Sequence, residues 1–292
     1  MPAPLFDAIV IVDWSANSTP KRGADSIWVH VSGHQPSNVS TRLEAGALLA
    51  STLRDLAGQR VLVGVDFALG YPAGFAQAAG MPRDTPAWES IWTHLADSLT
   101  DDHRNRNNRW QVAADLNARI GSPQFWGVPR ARASEHLTTT RPLSSPLPRL
   151  RRTEELLRSA TGRPPSSVWQ LLGVGSVGSQ SLTGIPMLQT LRRDPELERR
   201  LRVWPFETGF TMTPLTSPDA VVIAEVWPSM VTLDPSDHPV KDAQQVMALA
   251  RHFAELDAVG ELAPRFAPDL PDDVAAMAVA EEGWVLHAAP LF

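Results

Sequence analysis

The sequence predicts an α/β fold, a mixed sheet flanked by helices. Three apolar runs carry that prediction. Residues 9–14 read I-V-I-V-D-W, residues 61–67 read V-L-V-G-V-D-F, and residues 220–227 read A-V-V-I-A-E-V-W. A continuous β-branched and aliphatic run of this length suits a strand buried on both faces. Each run also carries one acid, Asp13, Asp66 or Glu225. A carboxylate at the end of a buried strand needs compensating charge, and a divalent metal that prefers oxygen ligands, Mg²⁺ or Mn²⁺, supplies it.

The other elements follow in order. After the strand at residues 8–13, residues 17–25 form a polar turn rich in Ser, Thr, Pro and Gly. Residues 26–32 set Ile27, Val29 and Val31 against Trp28 and His30, an alternation that predicts a second strand. Residues 39–43 suit a short third strand. Residues 43–57 place Leu48, Leu49, Leu53 and Leu56 at helical spacing, and the acid-tipped strand 61–66 follows. Strand, strand, strand, helix, strand is the element order of an RNase H-like or actin-like mixed sheet. Helices are predicted at residues 85–99, 152–160 and 240–256, with a last one opening at Asp272 and Asp273, and a terminal strand at 284–286. Residues 130–152 are basic and broken by proline. The division is one domain, residues 1–292, with a core at about 8–75 and 203–292 and a helical or irregular insertion at about 76–202.

Composition narrows the function classes. The 292 residues are 43% hydrophobic and 20% charged, an ordinary globular balance. Nothing approaches the length of a bilayer span, and residues 1–7 lack the basic-then-apolar pattern of a signal peptide, so no membrane partner and a cytoplasmic location are expected. With no cysteine there is no disulfide, thiolate ligand or cysteine nucleophile. The net charge of −6 excludes a polycation overall and leaves a local basic patch open. Ten tryptophans stand against one tyrosine, which core packing explains more simply than base stacking.

The V-D-W, G-V-D-F-A-L-G-Y-P, A-E-V-W-P and D-D-V-A-A-M-A-V-A segments resemble a bacterial family of predicted RNase H-like nucleases. The resemblance covers residues 8–75 and 220–287. It implies a metal-dependent phosphodiester hydrolase acting on nucleic acid or a nucleotide, with Asp13, Asp66, Glu225 and Asp273 as catalytic and metal-binding acids. Asp272 is a neighbouring candidate, and Asp242 the alternative fourth ligand. Two Mg²⁺ ions about 4 Å apart activate water, stabilise the leaving oxygen and neutralise phosphoryl charge; in this reading Asp13 bridges them. Each acid has a simpler explanation too. Asp13 suits a turn with Ser15 or Ala16, Glu225 suits a solvent-facing edge, and Asp273 suits a helix cap.

A second candidate is L-L-G-V-G-S-V-G-S-Q at residues 171–180, where Gly173, Gly175 and Gly178 form a G-x-G-x-x-G. In strand–turn–helix context such a loop cradles phosphate. The context for a dinucleotide is weak, because Asp194, at suitable spacing, lies in R-R-D-P-E rather than at a strand end. A phosphate loop and a tight packing turn both remain open, so the alternative functions are a nucleotide- or phosphate-compound-handling enzyme or a non-catalytic binding protein. Zinc-protease and G-x-S-x-G hydrolase motifs are absent. Arg104, Arg106, Arg109 and the interleaved asparagines beside Trp110 suit either phosphate contact or a solvated loop.

Overall fold

The structure, a computed structural model, describes residues 3–161, 165–173 and 176–286. It is an α/β protein with a six-stranded mixed sheet between two helical layers. In chain order, β1 (Ala8–Asp13), β2 (Ile27–Val31) and β3 (Ser37–Val39) form an antiparallel meander. Then come α1 (Arg42–Asp55), β4 (Val61–Val65), α2 (Phe75–Ala78), α3 (Ala87–Ser98), α4 (Arg109–Ile120), α5 (Arg152–Thr161) and α6 (Gly178–Arg192). The chain closes with β5 (Leu201–Val203), β6 (Val221–Glu225), α7 (Lys241–Ala258) and α8 (Asp272–Met277). Across the sheet the order is β3-β2-β1-β4-β6-β5, and β1, β4, β6 and β5 run parallel.

The apolar runs form strands because both their faces are covered. Val10, Val12, Val63, Val65 and Ile223 face a layer that includes α1, α3, α4 and α6. Ile9, Ile11, Leu62, Val222 and Ala224 face α7, α8 and the segment around Trp284. Seven of the ten tryptophans are buried (14, 28, 88, 92, 169, 204 and 284), so packing accounts for most of them. Among the described residues no helix is long and apolar enough to cross a membrane.

Local signals set the element boundaries. Thr41 accepts from the Glu44 N–H and caps α1, which turns the chain out of the strand expected to reach residue 43; β3 ends at Val39. Residues 75–202 supply α2 to α6, and α6 packs on α1, α3 and α4 and comes close to Phe67, just beyond β4. Gly184 allows this approach, since a Cβ there would stand 2.4 Å from the Phe67 ring. The Arg/Asn segment at 104–109 is ordered: Arg42 and Asp101 pair, Asn105 accepts from the Arg42 N–H, and α4 starts at Arg109. Residues 284–286 contribute a single bridge, Val285 to Glu225, in place of a full strand.

Candidate functional site

Parallel pairing of β1 and β4 puts their C-terminal ends side by side, with Val12 opposite Val65. Asp13 and Asp66 therefore emerge together, close enough that the charge of Asp66 acts on Asp13. The Trp14 N–H donates to Asp66 Oδ1 at 2.8 Å and fixes that side chain. Both acids lie on an open cleft of about 960 Å³. This is the crevice beyond the carboxyl ends of the strands, where open α/β sheets place their ligands.

Asp242, in the first turn of α7, lines the same cleft. It accepts from the Asp25 N–H at 2.6 Å, which ties the turn before β2 to this helix. Burial holds Asp13 well above the usual carboxylate range, and the charges of Asp66 and Asp242 add to it. Burial also pushes Asp66 up to about 7, against the lowering effect of the Trp14 N–H. Asp242 is raised as well, mainly by burial. Burial and the neighbouring like charge together disfavour ionising both carboxyls.

Glu225 ends β6 one strand further on, but its carboxylate has another partner. Arg151 Nη1 and Nη2 grip its two oxygens at 2.7 and 2.6 Å, and the Leu69 N–H donates to Oε2 at 3.1 Å. Arg151 is fully buried and also binds Glu154 through Nε at 2.8 Å. This bidentate pair takes up the charge that a metal was expected to balance at Glu225. A void of about 20 Å³ is lined by both Asp66 and Glu225. Asp272 and Asp273 are exposed in the first turn of α8 and do not line the cleft. The structure thus brings together Asp13, Asp66 and Asp242, and holds Glu225, Asp272 and Asp273 outside that group. Among the described residues, no three His, Cys, Asp or Glu side chains are arranged to hold a metal ion.

The glycine segment serves mainly as a packing turn. The Gly178 N–H donates to the Gln170 carbonyl at 2.9 Å, so it is not free for a ligand. A Cβ on Gly178 would meet the Val168 carbonyl oxygen at 2.3 Å. Gly173 sits at φ +114°, a conformation that favours glycine. Gly175 lies outside the described residues. The segment follows an isolated bridge, Trp126 to Gln170, rather than a strand of the main sheet, which removes the dinucleotide context.

The rest of the cleft draws on two segments that the sequence offered as phosphate contacts, residues 104–110 and 171–180, and on Arg132 and Trp227, which it did not single out. Arg109, Arg132, Trp110, Trp227, Ser176, Ser179 and Gln180 line it. Arg109 stacks on Trp110, its guanidinium carbon 4.2 Å from the ring centroid. Gln180 Nε2 donates to the Trp14 carbonyl at 2.6 Å, and Trp14 Nε1 donates to Thr183 Oγ1 at 3.1 Å. The start of α6 is thereby fastened to the residue that follows Asp13.

No protein-family model, curated protein or solved structure matches this chain.

Proposed function

We propose that the cleft is the active site of a divalent-metal-dependent phosphodiester hydrolase with an RNase H-like core. The observation that carries this reading is the Asp13–Asp66 pair at the ends of adjacent parallel strands, with Asp242 beside it on a cleft large enough for a nucleotide. The β-β-β-α-β element order at residues 8–65 supports the core assignment.

The donor set suits Mg²⁺ or Mn²⁺. These ions favour oxygen ligands, and Mg²⁺ commonly takes only one or two protein carboxylates, with water and substrate phosphate oxygens filling its other positions. Asp13 and Asp66 supply that minimum, and Asp242 adds charge. A bound cation would activate water and neutralise phosphoryl charge. Asp13 and Asp66 would hold the cation, and their raised carboxyls would have to lose protons to do so. Trp14 orients Asp66 through its N–H. Trp227 and Trp110 offer apolar faces on which a base stacks.

Hydrolysis of a chromogenic phosphodiester in the presence of Mn²⁺ tests the reading. Asp13→Asn is expected to lower kcat by about a hundredfold or more, the scale of losing a group that acts only in the transition state. Unchanged turnover in Asp13→Asn overturns it.

A further inference from the structure

The remaining unexplained charge in the cleft is positive. Arg109 is 6% exposed. Its hydrogen bonds go to neutral oxygens: Nε to Ser179 Oγ at 3.1 Å, and Nη1 to Ser18 Oγ at 3.2 Å and Asn107 Oδ1 at 2.9 Å. Among the described residues it has no ion pair, and its Nη2 has no hydrogen-bond acceptor. The acid nearest in charge, Asp101, is held bidentately by Arg42. A buried guanidinium is ordinarily matched by a carboxylate, and burial here draws Arg109 down to about 10.

The second feature is the start of α6, a 15-residue helix whose first turn carries no side-chain cap and no acid. Val177, Ser179 and Gln180 of that turn line the cleft, and Ser179 is the residue Arg109 binds. The Gly178 N–H is taken by the Gln170 carbonyl, but a helix start without a capping side chain or acid still presents positive charge to an anion.

We infer that Arg109 and the N-terminal turn of α6 form a phosphate-binding subsite in the cleft wall, and that it takes a terminal phosphate of the substrate. The inference rests on the phosphodiester reading above and extends it to the substrate class: a short phosphodiester or chain end bearing a terminal phosphate. Burial of Arg109 favours the terminal position. A phosphate in mid-chain must continue on both sides, whereas a terminal one enters a closed wall from one side. The net charge of −6 also disfavours a long polyanion.

The test is calorimetric titration of inorganic phosphate into the metal-free full-length chain. Wild type is expected to bind saturably, and Arg109→Gln to weaken binding about tenfold or more, the scale of a charge-assisted contact. Ser176→Glu is expected to weaken it similarly while holding or raising Tm, because an acid at a helix start is favourable; this variant guards against a folding defect in Arg109→Gln. Mn²⁺ binding should be unchanged in both. A dinucleotide with a 5′-phosphate should bind wild type more tightly than the same dinucleotide without one, and this preference should vanish in Arg109→Gln. Phosphate binding that survives both substitutions, or that requires Mn²⁺, overturns the subsite. Equal affinity of wild type for the two dinucleotides overturns its assignment to a terminal phosphate. Failure of the metal reading would show separately, as absent Mn²⁺ binding with the phosphate result intact.

Discussion

At the residue scale, the Asp13–Asp66 pair contributes to how the protein responds to pH. The folded state raises Asp66 from 3.8 to about 7, so the native protein binds this proton more tightly than the unfolded chain does. The resulting stability is fully present below about pH 4 and is lost as pH rises through about 7. A tenfold gain in proton affinity corresponds to about 1.4 kcal/mol, and the open cleft reduces the full effect to roughly 1–3 kcal/mol. Asp66→Asn keeps an oxygen for the Trp14 N–H but cannot ionise. In chelator, its Tm should match or exceed that of wild type at pH 8, and the advantage should disappear at pH 4. The two acids were legible in the sequence because each ends a strand that is otherwise apolar. Asp242 and Arg109 gave weaker signals, an acid at a helix start and an arginine in a polar run. Their meaning comes from tertiary neighbours, the Asp25 turn and α6.

At the element scale, the Arg151–Glu225 pair joins the segment before α5 to β6, and the Arg151 Nη1 bond to the Glu282 carbonyl, at 3.0 Å, ties in the segment after α8. Replacing one partner of a buried pair strands the other, at a cost of about 3–5 kcal/mol. Arg151→Met should therefore be strongly destabilised in urea, and Arg151→Met with Glu225→Gln should recover part of the loss. A wild-type midpoint for Arg151→Met would show that the pair adds no stability. Gly184→Ala pushes a methyl group into the Phe67 ring. It should cost about 1–3 kcal/mol as overpacking, and should move α6 away from Trp14. Elements with one clear face were readable: the leucine spacing marks α1, and Val246, Leu249 and Phe253 mark α7. α6 was not readable. It is buried on most sides and contains Gly178, Gly184 and Pro186, so no apolar stripe marks it. β5 is three residues long with an arginine at its centre, too short for a periodic signal.

At the scale of the whole molecule, the sheet gathers both chemistries into one cleft. The ends of β1 and β4 supply the acids, while Arg109 of α4 and Arg132 supply basic groups and the start of α6 supplies neutral polar ones. The fold class was legible because strand patterning and helix spacing agree at the two ends of the chain. Phosphate contact was one of two readings of the Arg109 run, and its place in the same cleft as the acids was not legible, because that depends on how residues 76–202 fold back over the sheet. On the reading proposed above the cleft takes a divalent cation and a phosphate, and the feature that reading rests on is the carboxyl pair. The most direct measurement is calorimetric Mn²⁺ titration of wild type, Asp13→Asn, Asp242→Asn and Asp273→Asn at pH 6 and pH 8, in buffers of different ionisation enthalpy. Wild type is expected to bind with proton release and more tightly at pH 8, because burial raises both Asp13 and Asp66 and a bound cation would displace protons from them. Asp13→Asn should abolish binding, Asp242→Asn should weaken it, and Asp273→Asn should leave it unchanged. Equal binding by wild type and Asp13→Asn, or binding without proton release at pH 6, contradicts a metal site on this pair.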